Sequence, residues 1–150
     1  MSERSRTISS LLNERAARES YVRSRLSVLL PAQIRSLRLR RGQKQADLGE
    51  AVEMKQARIS KLEQIGAANF SIETLIRLAS AFRVGLIVKF VPYSEMLEWE
   101  NEFQPDAFDA APIEEDGDFI TSKNHPVLKV IEPVCSALNE QPREEEARVN

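Results

Sequence analysis

The chain has 150 residues, 42% of them hydrophobic, and a formal net charge of −2. This length suits one small domain with appendages, and this composition supports a modest core. Its longest apolar run, residues 84–91, is interrupted by Lys89, so we expect neither a membrane span nor a secretory leader. The single cysteine, Cys135, excludes an internal disulfide framework and a thiolate metal cluster, and fits a reducing cytoplasm.

The net charge conceals an uneven distribution along the chain. Residues 1–91 contain 17 Lys and Arg against 8 Asp and Glu, a net charge of +9, whereas residues 92–150 contain 4 against 15, a net charge of −11. A basic head of this kind can neutralise phosphates and displace counterions, which supplies sequence-independent affinity for DNA. The chain is therefore predicted to have a basic head and an acidic tail.

The first 30 residues are predicted to form a helical arm. Apolar side chains recur among many arginines between residues 9 and 29, as in an irregular amphipathic helix or a helix pair. Pro31 suits the first position of the next helix, and Leu30 before it is expected outside helical geometry. That helix is predicted over residues 31–41, where it buries Ile34 and Leu37 and stops near Gly42.

Residues 43–64 contain two short helical patterns, predicted at 45–52 and 55–64. Leu48 and Val52 lie four residues apart in the first pattern, and Ile59 and Leu62 lie three apart in the second, so each pair forms a buried stripe. Burying Ile59 and Leu62 turns a polar and basic face of the second helix toward solvent. Two such helices indicate a helix-turn-helix that reads DNA.

The segments after this motif are predicted from their caps and composition. Ser71 suits the N-cap of a helix over residues 72–83, whose core-facing residues are expected to be Leu75, Leu78, Ala79 and Phe82. Residues 85–93 are rich in β-branched and aromatic side chains and favour a strand, which needs a partner in the N-terminal arm or in a second copy of the chain. Ser94 can cap a short helix through Glu102, and residues 103–150 are expected to be extended or partly disordered.

Residues 31–86 resemble the XRE family of Cro and CI type repressors. The resemblance rests on IRSLRLRRGQKQADLGEAVEMKQARISKLE and the following SIETLIRLASAFRVGL. Its matching positions are Ile34, Leu37, Arg38, Gln45, Leu48, Val52, Ile59, Leu62, Glu63, Leu75, Leu78 and Ala79. The segment GLIVKFVPYSEMLEWE is similar to a bacterial subgroup that has a strand in place of the usual fifth helix. The implied fold is mainly α: a lambda-repressor-like helix-turn-helix domain with an N-terminal helix, one appended dimerising strand and an acidic tail.

Three positions depart from the family pattern. Glu53 stands where the family has a turn glycine, which implies a different turn or mild strain. Lys44 stands at an N-cap that usually holds threonine, so Gln43 or water is expected to serve the free N–H groups. Gly49 stands where alanine is common, and still permits a close approach of the helices at a cost of about 1 kcal/mol in helix propensity.

Geometry and resemblance together assign the candidate site residues. The residues expected at base edges in the major groove are Lys55, Gln56, Ala57 and Lys61. The residues expected at phosphates are Lys44, Gln45, Arg58 and Gln64. Arg38 and Glu63 match a buried ion pair of the family, with a structural role. The residues expected in the dimer interface are Leu86, Ile87, Val88, Phe90 and Val91.

These predictions combine into a homodimeric, cytoplasmic regulator of transcription, a repressor rather than an activator, on a palindromic operator. The expected parts are an arm (1–30), a DNA-binding domain (31–84), a dimerisation segment (85–102) and an acidic tail (103–150). The alternative is an antitoxin-like protein that regulates its own promoter and binds a basic partner through its tail. No catalytic residue, cofactor or metal is expected, because the chain lacks a glycine-rich phosphate loop, paired cysteines or histidines and a GxSxG motif.

Overall fold

The computed structural model describes residues 2–67 and 69–121, which include seven helices. Contacts divide the chain into residues 1–115 and residues 116–150. The helices of the first unit are α1 (Glu3–Asn13), α2 (Arg15–Arg40), α3 (Gln45–Ala51), α4 (Gln56–Leu62), α5 (Ile72–Phe82) and α6 (Tyr93–Glu102). The described part of the second unit contains α7 (Gly117–Thr121), whose Phe119 N–H donates to the Asp116 carboxylate.

The N-terminal arm is a helix pair, one of the two arrangements expected. The Ser2 hydroxyl caps α1 by accepting from the N–H of Ser5 at 3.2 Å. The chain then breaks at Glu14, which is extended, and α2 begins at Arg15. Arg18 holds the break by donating to the carbonyl of Leu11 at 2.9 Å, which satisfies a backbone acceptor at the end of α1.

The prediction that a helix begins at Pro31 was wrong, because α2 continues through Leu30 and Pro31 to Arg40. Proline has no N–H and leaves the carbonyl four residues earlier without its helical partner. That carbonyl belongs to Ser27, and it accepts instead from the N–H of Gly66 at 3.1 Å. A hydrogen bond from a distant loop therefore replaces the one that Pro31 removes, and Pro31 itself is fully buried.

The core lies between the C-terminal half of α2 and helices α3, α4 and α5. Its buried apolar residues are Ile34, Leu37, Leu48, Val52, Ile59, Leu62, Leu78 and Phe82. All eight were predicted to be core-facing from their spacing, whereas Leu75 and Ala79 are only half-buried. The Ser71 hydroxyl caps α5 as predicted, since it accepts from the N–H of Thr74 at 3.1 Å.

The strand predicted at residues 85–93 is not present in the described chain, which has no strand. Helix α5 ends in a left-handed residue, Arg83, and residues 84–92 follow without regular structure. A strand is stabilised by hydrogen bonds to a neighbouring strand, and the described residues supply none here. Helix α6 begins at Tyr93 with Pro92 as its N-cap, so the prediction that Ser94 caps it was also wrong.

Residues 103–115, which belong to the tail predicted to be extended or partly disordered, contain turns but no helix and are fastened to the head by hydrogen bonds. The carbonyl of Phe108 accepts from the Ser36 hydroxyl and from Arg40 Nε, both at 2.8 Å. Its ring packs against the core and lies 5.4 Å from the ring of Phe103. Further along the predicted tail, residues 117–121 form α7, and residues 122–150 lie outside the described residues.

Candidate nucleic-acid interface

Helices α3 and α4 form a tight pair joined by a short turn. Leu48 on α3 and Ile59 and Leu62 on α4 are fully buried against each other and the core. In the turn, the N–H of Met54 donates to the carbonyl of Gly49 at 2.7 Å. The buried side chains set the rotation of each helix, and the turn sets the angle between them.

Gly49 is required by this turn. A Cβ atom at this position would lie 2.7 Å from the carbonyl oxygen of Met54, closer than real Cβ contacts. Gly49 was expected to allow a close approach of the two helices. In the structure it lies close both to the backbone of the turn, at Met54, and to the start of α4, at Gln56.

Glu53 adopts the left-handed conformation that the family pattern reserves for glycine. Its φ is 54°, in a region that costs a residue with a Cβ atom about 1–2 kcal/mol. Arg77 on α5 holds the turn by donating to the carbonyls of Val52 and Glu53, the second at 3.2 Å. The sequence predicted either a different turn or mild strain at Glu53, and the structure shows the strained backbone.

The outward face of α4 carries the residues predicted at base edges. Because Ile59 and Leu62 point into the core, the opposite face of this short helix is exposed. Lys55 is the N-cap, and Gln56 is the first helical residue. The exposed members of the predicted base-contact set are Lys55, Gln56, Ala57 and Lys61.

The residues predicted at phosphates lie at the start of α3, on α4 and just after α4. Lys44, Arg58 and Gln64 are exposed, and the guanidinium of Arg58 donates to the carbonyl of Asn69 at 3.2 Å. Lys44 is the N-cap of α3, and its own N–H donates to the Asp47 carboxylate at 2.7 Å. The Asp47 carboxylate thus serves the N–H of the cap residue itself, and the prediction that Gln43 or water serves the free N–H groups of the first turn of α3 stays a prediction.

Arg38 and Glu63 form a two-pronged ion pair beneath the site. Arg38 donates from Nε to Glu63 Oε1 at 2.5 Å and from Nη2 to Oε2 at 2.8 Å. The side chains are 9% and 3% exposed. The hydrogen bond to Glu63 raises the pKa of Arg38, while burial acts in the opposite direction. A third bond, from Arg38 to the carbonyl of Gln43 at 2.8 Å, ties the pair to the chain just before α3.

A chain of hydrogen bonds leads from this ion pair to the surface. Gln45 donates from Nε2 to Glu63 Oε2 at 2.9 Å, and its Oε1 accepts from Gln56 Nε2 at 3.4 Å. Gln45, assigned to a phosphate from the sequence, thus also restrains Gln56. This link was not predicted from the sequence, although Gln45 and Gln56 stand at the first positions of the two helices.

The described residues contain no group of three or more His, Cys, Asp or Glu side chains arranged to hold a metal ion. His125 and Cys135 lie outside them. Within residues 2–67 and 69–121, no helix is long and apolar enough to cross a membrane.

Comparison with known proteins gives one match. A family model described as a helix-turn-helix domain matches residues 29–86, from near the middle of α2 to just beyond α5. No curated protein and no solved structure matches the chain. The match covers the buried core, the α3–α4 turn and the exposed face of α4. Residues 29–86 are therefore a helix-turn-helix domain of the Cro/CI-like XRE kind, which implies DNA binding and a part in transcription regulation.

Proposed function

We propose that the chain binds double-stranded DNA sequence-specifically as a homodimer and represses transcription, with α4 in the major groove. The observation that carries this proposal is the exposed polar face of α4, whose orientation is set by the burial of Ile59 and Leu62 on the opposite side. An α-helix fits the major groove, where each base pair presents its own pattern of donors and acceptors.

Side-chain chemistry suggests which bases this face reads. The amide of Gln56 can pair with adenine N6 and N7, and the ammonium of Lys61 with guanine O6 and N7, each contributing about 1–3 kcal/mol of discrimination. Gln45 restrains Gln56 at 3.4 Å before DNA arrives, which reduces the conformational entropy lost on binding. Lys55 and Ala57 complete the base-contacting set.

Phosphate contacts would position α4 without reading sequence. Lys44, Arg58 and Gln64 are exposed around the helix. Gln45 has a second amide hydrogen beyond the one donated to Glu63, so it can bond a phosphate and keep its internal contact.

The dimer is proposed to form through the segment after α5. Leu86, Ile87, Val88 and Phe90 are all exposed in the single chain, and contiguous apolar surface of this kind marks interaction sites. A two-fold dimer presents two copies of α4 to a palindromic operator, with half-sites spaced by about 34 Å or a multiple of it. Repression follows from occupancy of the operator alone and needs no further surface.

The DNA-reading role is tested by selecting bound sites from a random duplex library at a stated salt concentration. Gln56→Ala and Lys61→Ala should each relax the base preference at one position of the half-site, whereas Lys44→Ala should weaken binding to all sequences alike. Circular dichroism checks that each variant retains its helical content. Unchanged base preferences in both α4 variants would remove α4 from the role of recognition helix.

The dimer is tested by sedimentation of the full chain. Ile87→Asp places a charge in the proposed interface and should give monomers that lose most specific affinity, since each would hold one half-site. Leu12→Asp is the matched control, because Leu12 is also exposed (74%, against 84% for Ile87) but lies on α1. A dimer that survives Ile87→Asp would place the interface elsewhere.

This role would place the protein in the bacterial cytoplasm, without an enzymatic activity. The antitoxin-like alternative depends on the acidic tail, most of which lies outside the described residues, so it stays a prediction.

A further inference from the structure

A groove with a volume of about 990 Å³ lies along the N-terminal half of α2, beside the loop that follows α4. Its polar lining includes Arg18, Ser20, Arg23, Ser24 and Asn69. We propose that this flank groove binds the sugar–phosphate backbone of DNA beyond the base pairs that α4 reads. The proposal rests on the proposed function and adds a contact made by residues 18–27, which precede the family-matched domain.

The flank groove is continuous with the α4 surface. Arg58 on α4 donates to the carbonyl of Asn69 at 3.2 Å, and Asn69 lines the groove. Gly66 in the same loop donates to the carbonyl of Ser27 on α2 at 3.1 Å. These two bonds join α4 and the loop after it to the wall of the groove. A DNA strand that contacts Arg58 would therefore lie beside the groove.

The lining suits a phosphate chain better than another protein segment. Arg23 is exposed and has no hydrogen bond or salt bridge with another described residue. Ser20 and Ser24, one helical turn apart, add hydroxyl donors on either side of it. The acidic side chain in the lining, Glu19, already accepts from Arg15 at 2.8 Å, so its charge is partly offset.

The apolar part of the lining also fits a nucleic-acid backbone. It is formed by Val22, Leu26 and Tyr93, among others. Along a DNA strand, charged phosphates alternate with the hydrocarbon surface of deoxyribose. A groove with arginine, serine and apolar side chains along one wall provides partners for both.

The experiment measures the affinity of the full chain for duplexes at several NaCl concentrations. One duplex carries the selected site with about two helical turns of DNA, roughly 20 base pairs, on each side, and the other ends at the edges of the site. Arg23→Gln removes a charge from the groove. The control, Arg4→Gln, removes a charge that is also exposed but lies on α1, outside the groove.

On the long duplex, Arg23→Gln should reduce the slope of log affinity against log salt by about one for each protomer, or about two for the dimer, whereas Arg4→Gln should leave it unchanged. On the short duplex, both variants should match the wild type. Equal slopes for Arg23→Gln and the wild type on the long duplex would overturn the proposal. An equal loss for Arg4→Gln would overturn it too, because it would show a general effect of charge.

The failure of this proposal is distinguishable from the failure of the proposed function. If Gln56→Ala relaxes the base preference but Arg23→Gln changes no slope, α4 reads DNA and the flank groove does not touch it. If Arg23→Gln changes the sedimentation of the chain and not its salt dependence, the groove holds a protein surface and the proposal is wrong. If the wild type binds no duplex specifically, both proposals fall.

Discussion

Replacing Arg38 with methionine tests whether the buried ion pair holds the DNA-binding domain together. Glu63 is 3% exposed and receives two hydrogen bonds from Arg38 at 2.5 and 2.8 Å. In the Arg38→Met variant, the carboxylate of Glu63 stays buried, and Gln45 is its remaining side-chain donor. Removing one partner of a buried pair costs about 3–5 kcal/mol. Domains of this kind have a free energy of unfolding of about 5–15 kcal/mol, so the variant should lose a large share of its stability.

Urea unfolding of the full chain, followed by circular dichroism, measures this loss. The double variant Arg38→Met, Glu63→Leu should recover much of it, because no charge then remains buried. Arg35→Met makes the same chemical change at an exposed position on α2 and should stay within about 0.5 kcal/mol of the wild type. The raised pKa of Arg38 means that the stability it contributes is lost only as the pH rises through that pKa, so the pair is intact at neutral pH.

Two results would refute this reasoning. A cost below about 1 kcal/mol for Arg38→Met would show that Glu63 finds other partners or water. A double variant as unstable as the single one would show that the loss comes from the missing bond of Arg38 to the Gln43 carbonyl, and not from the buried charge of Glu63.

Two further predictions concern the turn and the tail. Gly49→Ala places a Cβ atom 2.7 Å from the Met54 carbonyl, and this clash should outweigh the gain of about 1 kcal/mol in helix propensity, so the unfolding midpoint in urea should fall. Gly85→Ala, where nothing lies within 4 Å of the added atom, is the control, and an unchanged midpoint for Gly49→Ala would show that the turn yields. Changing the five glutamates between residues 132 and 146 to glutamine should raise affinity for non-specific DNA, most at low salt. Equal affinities of the variant and the wild type at low salt would exclude competition between the tail and DNA for the head.

The helix-turn-helix could be predicted from the sequence because its determinants are local. Leu48, Val52, Ile59 and Leu62 are buried as their spacing of three and four residues indicates. Once these side chains point inward, helical geometry alone exposes the face that contains Lys61. No knowledge of the rest of the fold is needed for either step.

Features that depend on distant residues could not be predicted in the same way. Pro31 signals a helix start, yet α2 passes through it, because the freed Ser27 carbonyl finds the N–H of Gly66. That partner lies 39 residues further along the chain, beyond any local pattern. Residues 85–93 have the composition of a strand, but composition does not supply the neighbouring strand that would stabilise it.

The charge available for DNA is smaller than the +9 of the head suggests, because some of its arginines serve the fold. Arg38 is buried with Glu63. Arg40 donates to the carbonyl of Phe108, and Arg41 donates to the carbonyl of Ala110. Both arginines therefore hold residues 103–115, the segment that follows α6 in the chain. Arg83 pairs with Glu114 in the same segment. The slope of log affinity against log salt depends on how many phosphates the protein neutralises, and not on the net charge of the protein. It should therefore follow the exposed cations at α3, α4 and the flank groove, while the fastened acidic segment neutralises charge at the ends of α2 and α5.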